Sequence, residues 1–293
     1  MRELKFIETI RQRAGNARSG VKLGIGDDAA VLEYDKSKYL LWADDMLVEG
    51  THFTKEDDSF DVGWKAVAVN ISDIAAMGGI PKYITVSLGC SGKHSGKYLS
   101  KLYDGIFAIC KKFGIQVVGG DTNKSDKFII DVSIIGFVEK KRLITRKGAR
   151  IGDLILVTGP IRNGRLTHLS FTPRLQESRV LGVYKITAMI DVSDGLSMDL
   201  NRLCERSKVG AQIYASSITL VPGLSLDDAL YYGESFELLF TIPPKEIEKI
   251  KNDRKISDSI FVIGSVVSSS QGVKIMTSSN ENKRLKIAGF KHF

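Results

Sequence analysis

Cysteine is scarce in this 293-residue chain: Cys90, Cys110 and Cys204 are the only three, and they are widely spaced. With no Cys-x-x-Cys pair, neither a disulfide framework nor a zinc ribbon is indicated, and the thiols read as reduced packing residues. No cluster of histidines supplements them. No stretch approaches the roughly 18–20 apolar residues that cross a bilayer, and residues 1–17 lack the apolar centre of a signal peptide. A cytoplasmic location with no membrane partner is therefore expected. The pattern Gly-x-x-x-x-Gly-Lys-Ser/Thr is missing throughout, which excludes a P-loop, and no kinase-type glycine loop with its lysine strand occurs. Self-similarity at a period of roughly 20–50 residues is also missing, so a solenoid is not expected. Lys and Arg are in excess, with a formal charge of +8. They are dispersed and not interleaved with aromatics, so no nucleic-acid partner is expected.

What is present fits a soluble globular protein, with 43% apolar residues and enough length for one large domain or two medium ones. β-Branched content predicts strands at 38–43, 115–119 and 128–138, while apolar spacings of three and four predict helices at 61–77 and 96–113. The turn-rich run Gly148-Ala149-Arg150-Ile151-Gly152-Asp153 sets the expected boundary between a domain of residues 1–147 and one of residues 148–293. Beyond it the same reading gives strands at 154–158, 186–192, 237–242 and 260–267, helices at 194–206 and 244–251, and a surface hairpin at 268–284. Several strands follow one another without a helix between them, which favours an α+β fold over a strictly alternating parallel sheet.

The chemistry is concentrated in aspartates set beside glycine, serine or another aspartate: Gly26-Asp27-Asp28, Asp44-Asp45, Ser72-Asp73, Gly119-Gly120-Asp121-Thr122, Asp191-Val192-Ser193-Asp194-Gly195, and Asp199. Carboxylates offered without nitrogen or sulfur donors suit hard cations such as magnesium, which are commonly shared with phosphate oxygens. Gly24-Ile25-Gly26-Asp27-Asp28-Ala29 imitates a dinucleotide-binding loop, but no apolar strand precedes it, and two acids would repel a pyrophosphate unless a cation intervened. Asp44-Asp45 follows the apolar run Tyr39–Ala43, so the pair is expected at a strand's C-terminal end, with only one of the two facing the site. Asp73 lies in a helix that is apolar nearly all round, where a carboxylate is costly unless paired or metal-bound; Asn70 shares its face. Gly119-Gly120-Asp121-Thr122 reads as a glycine turn or as backbone amides free to approach a phosphate. Ser193 or Asp194 would serve as an N-cap, but a cap needs only one of them, which leaves Asp191 unexplained by structure alone.

Taken in order, these pieces resemble the thiamine-monophosphate kinase family, together with Lys65–Gly78, Thr145-Arg146-Lys147-Gly148-Ala149, Gly233–Thr241 and Gly289–Phe293. The resemblance spans most of the chain. It implies two α+β domains of the aminoimidazole ribonucleotide synthetase-like fold, with an N-terminal sheet forming a homodimer interface. It also implies transfer of the γ-phosphoryl group of ATP to thiamine monophosphate in the presence of several magnesium ions. By resemblance, Asp28, Asp45, Asp73, Asp121, Asp191 and Asp194 hold metal, with Asp44 a further candidate ligand. Tyr103, Gly120, Asp121, Arg146 and Ser193 contact ATP, and His52, Glu234 and Phe290 hold thiamine monophosphate.

The chain departs from the family pattern at four places. Ser235-Phe236 stands where the family usually has Asp-Tyr, and Ala43-Asp44 stands where it has hydroxyl residues. The region 159–173 is shortened, and no second lysine compensates for a lost metal. Two alternatives stay open at this point: another ATP-using enzyme of the same fold group, or a non-catalytic magnesium-nucleotide-binding protein.

Overall fold

Along Ile129–Glu139 buried and half-buried residues alternate strictly, with Ile130, Val132, Ile134 and Val138 turned inward, as a strand with one covered face requires. This strand is central to the first half of the chain in a computed structural model that describes residues 3–15, 19–92, 94–162 and 169–290. The first half comprises α1 (Glu3–Ala14), β1 (Val21–Leu23), β2 (Ala30–Glu33), β3 (Lys38–Val48), α2 (Ser59–Ala76), β4 (Ile80–Cys90), α3 (Gly96–Phe113), β5 (Gln116–Lys124) and β6 (Ile129–Glu139). Its six strands run in the order β1-β2-β3-β6-β4-β5, and only the β4–β5 pair is parallel.

The second half comprises β7 (Leu154–Thr158), α4 (Leu175–Leu181), β8 (Ala188–Asp191), α5 (Leu196–Ser207), β9 (Gly210–Tyr214), α6 (Leu226–Tyr231), β10 (Leu238–Ile242), α7 (Ile247–Lys251), β11 (Ile260–Val267), β12 (Val273–Met276) and β13 (Asn282–Arg284). Its seven-stranded sheet has the order β13-β12-β9-β11-β7-β10-β8, with β12 parallel to β9. Pairs of sequential strands and helices gathered on sheet faces make the chain α+β.

Several predicted bounds shift. The strand expected at 38–43 runs on to Val48, because every residue from Lys38 to Val48 pairs with β6. Continuous backbone pairing with a full-length neighbour outweighs the low strand propensity of Asp44-Asp45. The pair is therefore mid-strand, not at a strand end. Likewise Gly119–Thr122 lies within the edge strand β5 and not in a turn beyond it. A Cβ on Gly120 would fall 1.8 Å from the Val86 carbonyl oxygen, so this close approach admits only glycine. The central strand β4 escapes prediction, since Gly78-Gly79 and Pro81 read as breakers. The segment 268–284 is a hairpin, as expected, but β12 also joins the sheet and buries Val273 and Ile275.

The helix α2 organises the molecule. Asp58 caps it by accepting from the Phe60 N–H, and 14 of its 18 residues are buried. It is covered on all sides because it packs on β3 and β6 of its own sheet, on α3, and on α4 and β8 of the second half. Ser178 Oγ donates to the Ala75 carbonyl at 2.6 Å across that junction. The α2–α3 crossing is close enough that a Cβ on Gly105 would lie 1.9 Å from the Phe60 carbonyl oxygen. Gly105→Ala should therefore destabilise the protein by about 3 kcal/mol, the upper part of the range for overpacking. Gly92→Ala, with nothing within 4 Å of the new methyl, should change stability by no more than about 0.5 kcal/mol. Urea unfolding of the two variants reads the difference, and equal midpoints would contradict the tight crossing.

Candidate active site

Where the two halves meet along α2 lies a cavity of about 660 Å³. Asp28, Asp44, Asp45, His52, Asp73, Arg146, Ser193, Asp194, Glu234 and Phe290, all singled out from the sequence, line it. Each comes from a different local device. Asp28 closes the turn before β2, Asp73 sits in the last turns of α2, and Asp191 ends β8, so three separate elements bring carboxylates to one point. One oxygen from each of Asp28, Asp73 and Asp191 lies within 4.8 Å of the others.

The electrostatics of this cluster are unfavourable on its own. Burial, then the neighbouring charges of Asp45, Asp191 and Asp28, pushes Asp73 well above the usual carboxylate range. Burial and Asp28 do the same to Asp191, although Ser72 Oγ donates to its Oδ2 at 2.6 Å. Asp45 is raised to about 7 by burial and by the charges of Asp44 and Asp194, and it shares a hydrogen bond with Asp73. Against these acids stands Arg146. Burial opposes its charge, but Asp28, Asp27 and Asp191 outweigh that and hold it protonated, with Nη2 donating to Asp28 Oδ1 at 2.6 Å.

The other oxygen of Asp28, Oδ2, is buried without a hydrogen-bond partner, as is Asn70 Oδ1. A buried acceptor left unmatched on one of three converging carboxylates, with no nitrogen or sulfur ligand among them, suits a hard cation. The residues present therefore fit magnesium.

The remaining residues divide by position. Asp45 is on the inner face of β3 and Asp44 on the outer face, as alternation along a strand requires, yet both border the cavity, so the expectation that only one of the pair would face the site is not met; Asp44 shares a hydrogen bond with Asp131. The register Met46↔Asp131↔Ser87↔Asp121 puts Asp121 on that outer face as well, where Asn123 Nδ2 donates to it at 2.6 Å. Asp121, Gly120 and Tyr103 are not part of the cavity wall; Tyr103 lies on α3 with its ring 5.8 Å from that of Phe107. Asp194 pairs with Arg202 at 2.6 Å. Neither Ser193 nor Asp194 caps α5. The fully buried Asp199 accepts instead from the N–H groups of Asp194 and Gly195, and Gly195 occupies the cap position.

Elsewhere on the cavity wall the Val48 N–H donates to His52 Nδ1 at 3.0 Å, which leaves the imidazole proton on Nε2. Phe290 comes within 6.1 Å of the His52 ring and is tied by its N–H to the Asp194 carbonyl. Lys291, His292 and Phe293 of the C-terminal motif lie outside the described residues. Glu234 and Phe236 both have left-handed backbones, with φ of 65° and 52°. Ser235, between them, is turned into the protein, where its Oγ accepts from the Arg162 N–H. The substitution at 235 thus does not open onto the cavity. The shortened region 159–173 is described only at 159–162 and 169–173; its residues 163–168 lie outside the described residues.

Four residues that shape the site had no role assigned to them from the sequence: Asp27 and Ser72, which stood only as members of the acidic motifs, and Arg202 and Lys65; Asp27 accepts from the Arg146 N–H. Lys65 was detectable, because the burial argument applied to Asp73 holds equally for an ammonium in the same apolar helix.

The family model described as AIR synthase related protein, N-terminal domain, matches residues 26–138, and that of the C-terminal domain matches residues 150–276. The chain is thus of the AIR synthase-related class. Within that class it is 36% identical to the thiamine-monophosphate kinase of Buchnera aphidicola over 92% of each chain. It is 32% identical to that of Bacillus subtilis over 100% of each. A solved structure described as AaThiL complexed with AMPPCP and TMP is 31% identical, covers 100% of this chain and 97% of its own, and superposes with a TM-score of 0.86. The chain belongs to the thiamine-monophosphate kinase family.

If the carboxylate cluster is the cation site, Asp73→Asn has two opposed effects. It removes a charge that Asp28, Asp45 and Asp191 repel, so in EDTA its melting temperature should match or exceed that of the wild type by roughly 2–4 °C. The rise in melting temperature that magnesium gives the wild type should vanish. Differential scanning fluorimetry with and without magnesium checks both, and an unchanged response to magnesium would remove Asp73 from the site.

Proposed function

We propose that this protein transfers the γ-phosphoryl group of ATP to the phosphate of thiamine monophosphate, releasing ADP and thiamine diphosphate. The observation that carries this reading is that one cavity is lined both by acids of the cation-fitting cluster with Arg146 and by His52, Glu234 and Phe290. A family member whose structure contains both AMPPCP and TMP supports it.

Donor and acceptor are both anions, so their repulsion must be neutralised before the acceptor oxygen can form its bond to the γ-phosphorus while the bond to the departing ADP oxygen breaks. Bound magnesium supplies that neutralisation and polarises the phosphoryl oxygens. Asp28, Asp73 and Asp191, with Asp45 beside them, are the residues that would hold it. Arg146, fixed by Asp27 and Asp28, adds a cation that need not reorganise. His52 presents the protonated Nε2 towards an anionic group, Phe290 offers a ring face, and Glu234 offers a negative charge to a cationic ring.

The proposal extends to a domain boundary at 147/148 and to a homodimer through the outer face of the first sheet, where Trp42, Met46, Tyr83 and Val118 are exposed. Among the described residues no helix is long and apolar enough to cross a membrane. A cytoplasmic location is part of the proposal.

Purified protein incubated with ATP, magnesium and thiamine monophosphate should yield thiamine diphosphate by chromatography, and Asp45→Asn should yield none. Wild-type protein that binds ATP yet makes no diphosphate would sink the reading.

A further inference from the structure

Among the described residues Lys65 is one of the largest side chains fully withdrawn from solvent, and it is charged. Its Nζ donates to Glu234 Oε1 at 2.5 Å and to the His52 carbonyl oxygen at 2.8 Å. No phosphate- or cation-site residue is among its partners. Those two contacts are with the two polar residues assigned above to the acceptor, one from each half of the chain.

We infer that Lys65 is a positioning residue for the acceptor: from inside α2 it fixes the Glu234 carboxylate and the His52 turn against each other across the junction. The inference rests on the functional reading above and names what sets the acceptor-binding part of that site.

Three observations support the inference. Glu234 occupies a left-handed backbone conformation, which a non-glycine residue holds only where its surroundings over-determine it. Its N–H bond to the Ser193 carbonyl, at 2.7 Å, fixes the backbone but leaves the side chain to Lys65. The His52 turn is likewise held at the ring by the Val48 N–H and at the carbonyl by Lys65. Finally, a buried ammonium is tolerated only when its protons find acceptors, and Lys65 has a carboxylate and a carbonyl. Glu234 keeps 26% of its side-chain surface exposed and lines the cavity, so the ion pair is dry on one side and meets the ligand on the other. A carboxylate held in that orientation selects a cationic ring, and an acceptor lacking one would gain nothing from it.

Steady-state kinetics on Lys65→Met, Glu234→Gln and the double variant test this, with melting temperatures recorded for each. Lys65→Met should raise KM for thiamine monophosphate about tenfold or more, the scale set by small misplacements, while KM for ATP stays within about twofold. The double variant should recover melting temperature, because no unpaired carboxylate is left, yet its acceptor KM should not exceed that of Glu234→Gln alone. If Lys65→Met does not fold, Lys65→Gln, which keeps a donor for the His52 carbonyl and removes the charge opposite Glu234, is read in the same way. Equal rises in both KM values, or multiplicative effects in the double variant, would reduce Lys65 to a packing residue. An acceptor KM that does not move would overturn the inference outright. Wild-type protein without kinase activity would overturn the functional reading and this inference together, whereas an active wild type with either of the former results would overturn this one alone.

Discussion

Mutual repulsion among Asp28, Asp73 and Asp191 is the constraint on which the rest of the structure depends. Three poorly solvated carboxylates do not gather by themselves, and the folding energy that holds them together comes from apolar packing elsewhere. It comes above all from α2, which is buried on its own sheet and on the second half of the chain. Arg146 offsets part of the repulsion, and Ser72 and Asp27 orient what remains. The result is a site whose unmet need is positive charge, and phosphoryl transfer uses cations at such a point.

Much of the site was legible in the sequence because its residues are costly wherever they are buried. Asp73 in an apolar helix, and Asp191 beyond what a helix cap needs, announced themselves in that way. Register was not legible. Whether Asp44 or Asp45 faces inward depends on pairing with β6, and the placement of Asp121 on the outer face depends on β4, a strand that glycine and proline at its start disguise. The long-range partners of Arg202, Lys65 and Ser72 were equally invisible, since nothing local links residue 65 to residue 234. The fold class was readable from the succession of strands without intervening helices, whereas the short strands at 21–23, 30–33 and 210–214 carry too few residues to show a period.

The two departures at 235 and 236 are accommodated structurally. Ser235 is turned inward to the Arg162 N–H, and Phe236 stacks on Phe171 with ring centroids 4.2 Å apart. Below them Glu237 is gripped by Arg174 through both oxygens and by Thr158. The loop 233–236 therefore carries its strained backbone between two buried ion pairs, Lys65–Glu234 on one side and Arg174–Glu237 on the other.

Because α2 serves as a wall for both halves, the two halves share packing along its length. A swing of one half against the other would pull Ser178 from Ala75 and Ser72 from Asp191 and would open the core. The width of the cavity is thus tied to the packing of a single helix, and widening it would cost buried contacts on both of that helix's sides.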